Sequence, residues 1–155
     1  KDTFNLLNYS VNDSLIETLS KDYILYLPKF NFLHDGAIEI LEYLKPKYSL
    51  HIITNGFEEV QAGKIKNSGL KNYFTSITNS EMAGVKKPNA KIFEYALSLS
   101  NAKKNNSIMI GDCLEADIQG ALKFGIDAIF FNENKIATPK EINAITHLLQ
   151  LKNIL

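Results

Sequence analysis

Three short clusters hold residue types that could do chemistry together. Thr54-Asn55-Gly56 sets a hydroxyl beside turn amides, a combination that can hold one phosphate-sized anion. Gly84-Val85-Lys86-Lys87-Pro88 sets a lysine before a proline, which aims an ammonium at a defined angle. Ile110-Gly111-Asp112 ends an apolar run on a carboxylate, and Asp117 adds a second one as a helix begins. Acids placed this way suit Mg2+, which prefers oxygen ligands and keeps several waters. Each cluster also has a plainer reading on its own: a helix-capping turn, a solvated basic loop, and a common Gly-Asp dipeptide after a strand.

The elements around these clusters decide whether they can meet. Leu50-His51-Ile52-Ile53-Thr54 is a β-branched run that ends at Asn55-Gly56, the pattern of a buried strand meeting a turn. Residues 57–67 predict a helix stopped near Ser68-Gly69, and residues 73–78 contain a brief strand. Pro88 is expected to open a helix that carries Ile92, Phe93, Ala96, Leu97 and Leu99 on one face. Residues 107–110 predict a strand, 114–124 a helix ending at Gly125, and 126–131 a strand. A last edge strand is expected over 144–147, then a helical turn or two. Upstream, Asp35 is expected to cap a helix closed by Pro46.

From residue 35 onward helices and strands alternate. Alternation of this kind argues an α/β fold: a parallel sheet covered on both faces, with right-handed crossovers. The three clusters then lie at the carboxyl ends of strands, where ligands bind in such sheets. Residues 13–27 predict a further helix, capped by Asn12 or Asp13 and ended by Pro28, with Leu15, Ile16, Leu19, Ile24 and Leu27 as its apolar stripe. Residues 1–33 stand apart from the alternation.

Bulk properties narrow the function classes. The 155 residues suit one domain with a sizeable core. Lys plus Arg balances Asp plus Glu at 17 each, so charge gives no case for nucleic acid or an anionic membrane. A single cysteine, Cys113, excludes a disulfide framework. No apolar run approaches the roughly 18 residues of a membrane span, and the first residues lack a signal pattern. A cytoplasmic protein is expected. The three histidines are scattered, and none reads as a metal ligand.

The order of the clusters is informative. Hydroxyl, then Lys-Pro, then paired acids, each one strand further on, resembles the second, third and fourth motifs of the haloacid dehalogenase-like (HAD) hydrolase superfamily. Ile52 to Gly56, Gly84 to Phe93 and Ile110 to Ala121 carry the resemblance, which covers residues 35–155. Within the superfamily the chain looks most like small bacterial phosphatases of the pyrimidine 5'-nucleotidase type with a helical cap. The resemblance implies a three-layer Rossmann-like core over residues 34–155, with 1–33 as the end of the cap and its return segment. It also implies a small phosphorylated metabolite as substrate, Mg2+ as cofactor and an aspartyl-phosphate intermediate. By the same resemblance, Thr54 would hydrogen-bond the phosphoryl group beside the amides of Asn55 and Gly56. Lys87, the lysine directly before the proline, would steady charge. Asp112 would bind Mg2+, and Asp117 would orient Lys87 or the metal's waters.

One motif is missing. The family's nucleophile and acid/base come from an Asp-x-Asp run at the end of a central first strand, and no Asp-x-Asp occurs in this chain. Without that strand, rows of buried backbone groups would lose their partners. The expectation is therefore an N-terminally incomplete core, inactive by itself. About 70–90 preceding residues would carry the strand and its nucleophile. Two other outcomes stay open: a non-catalytic phosphate-binding or regulatory domain on the same fold, and a dehalogenase or phosphoglycolate-type phosphatase.

Overall fold

The computed structural model describes residues 2–155. It opens with α1 (Asp2–Leu6), α2 (Asp13–Tyr26) and α3 (Ala37–Leu44). Then come β1 (His51–Thr54), α4 (Glu58–Asn67), β2 (Ser76–Asn79), α5 (Ser80–Ala83) and α6 (Ala90–Ser100). The last third holds β3 (Ile108–Gly111), a π-helical segment (Leu114–Gln119), α7 (Gly120–Phe124), β4 (Asp127–Phe131) and β5 (Ala144–Ile145), closed by a 3-10 segment (Leu148–Asn153). Every strand pairing is parallel, which matches the α/β expectation.

Strand β4 shows why three layers form. Ala128 and Phe130 pack to one side with Ile92 and Phe93 of α6 and Ile118 of the π segment. Ile129 and Phe131 pack to the other side with Ile40 and Leu44 of α3, Ile145 of β5 and Leu151. Successive side chains on a strand point to opposite faces, so a run of apolar residues fills both cores at once. In β3, Met109 joins the first core and Ile110 the second. Ile53 of β1 also packs on the first core.

The strands form two sheets rather than one. β1 pairs with β2, His51 opposite Ser76 through Thr54 opposite Asn79. Separately, β3 pairs with β4 and β4 with β5, so the order is β3-β4-β5. β1 and β3 each keep one unpaired edge, and both lean on the same core.

Several boundaries differ from expectation. Helix α3 is capped by Gly36 in a left-handed conformation, without a side-chain cap bond, so Asp35 does not cap it. Pro88 does not open α6. Asn89 does, its side chain accepting the Lys91 N–H at 3.0 Å, and the Lys87–Pro88 peptide before it is cis. The helix expected over 114–124 starts as a π turn, in which the Ile118 N–H reaches back to the Cys113 carbonyl. The brief strand near Tyr73 begins only at Ser76, because residues 71–73 form a 3-10 turn first.

The N-terminal piece is built differently. Asn12 caps α2 as expected, its side chain accepting the Leu15 N–H at 2.8 Å. No residue of α2 is buried. The segment after it is stapled to α4 by two amides: Asn31 donates to the Asn67 carbonyl at 2.6 Å, and Asn67 donates to the Pro28 carbonyl at 2.9 Å. No helix among the described residues is long and apolar enough to cross a membrane.

Candidate functional site

The parallel sheets bring the carboxyl ends of β1 and β3 to the same end of the molecule, and there Lys87 and Asp117 meet. The Lys87 ammonium stands 2.6 Å from Asp117 Oδ1, with the two side chains only 9% and 5% exposed. Its second bond runs to the Ile53 carbonyl on β1, at 2.8 Å. One lysine therefore spans from β1 to the segment that follows β3. Lys86, its neighbour, is exposed to solvent.

Asp117 is held from its other side as well. Its Oδ2 accepts the Cys113 N–H at 3.1 Å, while Oδ1 has no partner except the ammonium. Gly111 makes this placement possible. A Cβ at position 111 would overlap the Asp117 side chain. The glycine in the Gly-Asp pair is thus a matter of close approach, not of backbone conformation. Gly120 does a similar service one turn later, since a Cβ there would come within 2.8 Å of the Pro88 ring and 3.2 Å of Phe93. The Lys-Pro loop and the segment after β3 pack against each other through two glycines.

At the end of β1, the Thr54 hydroxyl oxygen accepts the Gly56 N–H at 3.1 Å. That bond uses the oxygen as acceptor and leaves the hydroxyl hydrogen to point elsewhere. Asn55 ties the turn to the Lys-Pro loop through its side chain. Asp112 is exposed, and its carboxylate takes no protein donor among the described residues. Thr54, Asn55, Lys87 and Asp117 are thus one linked set. Asp112 joins it through the backbone alone.

A small cleft of about 80 Å3 opens beside Asp112, lined also by His34, Phe130, Asn132 and Glu133. His34 Nδ1 lies 3.2 Å from Glu133 Oε1, and the imidazole meets the Phe131 ring edge-on at 5.2 Å. Both partners of that pair are more than half exposed, so it is worth little to stability. A larger open hollow of about 590 Å3 lies at the opposite end of β1, lined by Glu42, Lys45 and Tyr73 among others. It carries none of the strand-end clusters.

The site can do two things chemically. Hydroxyl, turn amides and ammonium can neutralise a tetrahedral anion. The free Asp112 carboxylate can serve a cation, one or two carboxylates plus waters being the usual Mg2+ set. Among the described residues no three His, Cys, Asp or Glu side chains cluster as a ready metal cage. Asp112 fits Mg2+ as one ligand of a set that needs another. Sequence reading missed the Asn55 side chain, for which it had used only the amide, and the Ile53 carbonyl. It also passed over His34 as a neighbour of Asp112. No local pattern pairs residues 34 and 133, so no signal was there to find.

Several known proteins are similar to this chain. The chain is 36% identical over 108 residues to pyrimidine 5'-nucleotidase YjjG of Escherichia coli, covering 69% of this chain and 48% of that protein. It is 39% identical over 112 residues to a glyceraldehyde 3-phosphate phosphatase of Pyrococcus furiosus, covering 70% of this chain and 47% of that one. The chain thus spans about half the length of these curated relatives. A crystal structure of the HAD-hydrolase YfnB from Bacillus subtilis, bound to magnesium, superposes with a TM-score of 0.86 at 29% identity, covering 98% of this chain and 66% of that one. A model of the haloacid dehalogenase-like hydrolases matches residues 1–131, and the chain belongs to that family.

Proposed function

We propose that this chain is the phosphate- and metal-facing part of a Mg2+-dependent phosphomonoester hydrolase that acts on a small cytoplasmic metabolite such as a nucleoside 5'-monophosphate. The observation that carries the reading is the Lys87 ammonium, held almost out of solvent between the ends of β1 and β3 and paired to Asp117. Burying a charged pair carries a desolvation cost that apolar side chains would avoid, which supports a role for this ammonium beyond packing. Neutralising a phosphoryl group is work that suits it. The likeness to a nucleotidase and to a sugar-phosphate phosphatase supports the substrate class.

The nucleophile lies on a segment outside this sequence. The free edges of β1 and β3 support this, since one parallel strand between them would pair both and join the two sheets. An Asp at the end of that strand would stand beside Lys87, Thr54 and Asp112. Its carboxylate oxygen would attack phosphorus as the ester oxygen leaves with a proton from a neighbouring acid. Water would then cleave the aspartyl-phosphate, giving inorganic phosphate and the free carboxylate. In both steps Thr54 donates to a phosphoryl oxygen, Lys87 offsets its charge, and Asp117 keeps the ammonium in place. Mg2+, held by Asp112 and the nucleophile, would supply further charge neutralisation at the phosphoryl group.

The protein carrying that segment should hydrolyse p-nitrophenyl phosphate and nucleoside 5'-monophosphates only with Mg2+, and Asp112→Asn should abolish turnover. The 155-residue chain alone should show none. Turnover with chelator present, or an Asp112→Asn variant at native rate, would overturn the reading.

A further inference from the structure

The Asn55 side chain makes two bonds that neither its turn nor an anion site requires. Its Oδ1 accepts the main-chain N–H of Lys87 at 2.7 Å, and its Nδ2 donates to the main-chain carbonyl of Lys87 at 3.1 Å. One carboxamide therefore satisfies both backbone groups of a single residue 32 positions along the chain. At neutral pH a carboxamide offers donor and acceptor side by side without charge, where a carboxylate offers acceptors alone. The turn that carries it is anchored in its own right, because the Asn55 carbonyl accepts the Ser80 hydroxyl at 3.2 Å.

Lys87 is thereby fixed at both ends. Its backbone is gripped by Asn55, and its ammonium is bonded to Ile53 and paired with Asp117. A lysine side chain has four flexible carbons, so an unanchored backbone would spread the ammonium over a wide volume. We infer that Asn55 is a positioning residue: its side chain sets the Lys87 backbone so that the ammonium stays at the strand ends. This rests on Lys87 being the charge-neutralising group, and it gives the Asn55 side chain a task separate from that of its amide. A plain loop staple would instead tolerate loss of the clamp without any change at Nζ.

Competitive acetylation with acetic anhydride, read lysine by lysine by mass spectrometry on the purified chain, separates the two. In the native chain Lys87 should label slowly. Asn55→Ala should raise its rate about tenfold, as expected for losing two part-buried hydrogen bonds of ordinary net strength. Lys104, bonded to the Phe124 carbonyl at 2.6 Å, and Lys152, paired to Glu39 at 2.6 Å, should not change. If all three rise together, the variant has unfolded, and Asn55→Asp takes its place. That variant keeps the acceptor, loses the donor, and should raise Lys87 labelling about threefold with the controls unmoved. Lys87 labelling within about twofold of native, with the control lysines unchanged, overturns the proposal. Labelling needs no turnover. If the protein carrying the proposed strand lacks phosphatase activity while Lys87 responds, the clamp stands and the phosphatase reading falls; if that protein is an active phosphatase while Lys87 is indifferent, the clamp alone falls.

Discussion

The strand-end site and the N-terminal helical piece use similar residues to opposite ends. Around Lys87, apolar strand residues are consumed on both faces, and the charged groups are paired and nearly dry. In α2 the apolar stripe is spaced as regularly, yet none of it is buried, and Phe32 beyond it is 93% exposed. Periodicity tells which face of an element is apolar. It does not tell what covers that face. Where the sequence holds both partners, as in β3, β4 and α6, pattern becomes core. In α2, pattern remains surface.

The sharpest way to break this contrast is at Asp117. Removing it leaves the Lys87 ammonium buried without its counter-charge. Asp117→Ala should therefore cost about 3–5 kcal/mol, read as a fall in the urea unfolding midpoint. A loss under about 1 kcal/mol would mean that water already reaches the pair, and that the two regions differ less than their exposures say.

Gly111→Ala comes next. The added methyl would displace the Asp117 side chain from the end of β3. The cost should be about 1–3 kcal/mol, the range for overpacking a close contact. The same urea titration checks it, and an alanine tolerated without loss would show that Asp117 has room to move.

How much of this was legible from sequence follows the same division. The alternation of helices and strands, a parallel sheet covered on both faces, and the placement of Thr54 and Asp112 at the ends of β1 and β3 follow from local patterns, whereas Lys87 follows the short helix α5 rather than β2 directly. Boundaries set by longer contacts do not follow from such patterns. Asn89 rather than Pro88 starts α6 because its side chain caps the helix. The π turn after Cys113 lets Asp117 fold back onto the strand end, and nothing in a helical apolar pattern marks it. The Asn55 clamp joins residues on separate loops, so spacing carried no sign of it. The division into two sheets had no local sign beyond the lack of an Asp-x-Asp run.

His51 gives a smaller effect, at the opposite end of β1 from the site. Its Nδ1 lies 2.7 Å from the Ser76 hydroxyl, and burial lowers its pKa below the ordinary histidine value. The folded state therefore binds a proton less readily than the unfolded chain. Stability is unaffected above the ordinary histidine pKa and falls as pH drops below it, towards the lower folded value. The urea midpoint should decline from pH 8 to pH 5, and the decline should shrink in His51→Asn, which keeps a polar group near Ser76. An equal decline in both would assign the slope to other groups.

The smallest effect should come from α2. Leu19, in the stripe, is 45% exposed, so only part of its apolar area is lost when it is replaced. Leu19→Ser should change stability by less than about 1 kcal/mol, close to the usual range for a surface position. Its value lies in the comparison with the same substitution made in a longer protein that includes the proposed strand and the rest of a cap. There a covered leucine would cost about 2–3 kcal/mol, since an apolar side chain of that size is worth roughly as much when removed from water. A small cost in both proteins would show that the stripe on α2 faces solvent whatever else the chain carries, and that its spacing is incidental. A small cost in the chain and a large one in the longer protein would make the contrast between site and helix a matter of missing partners, not of different design.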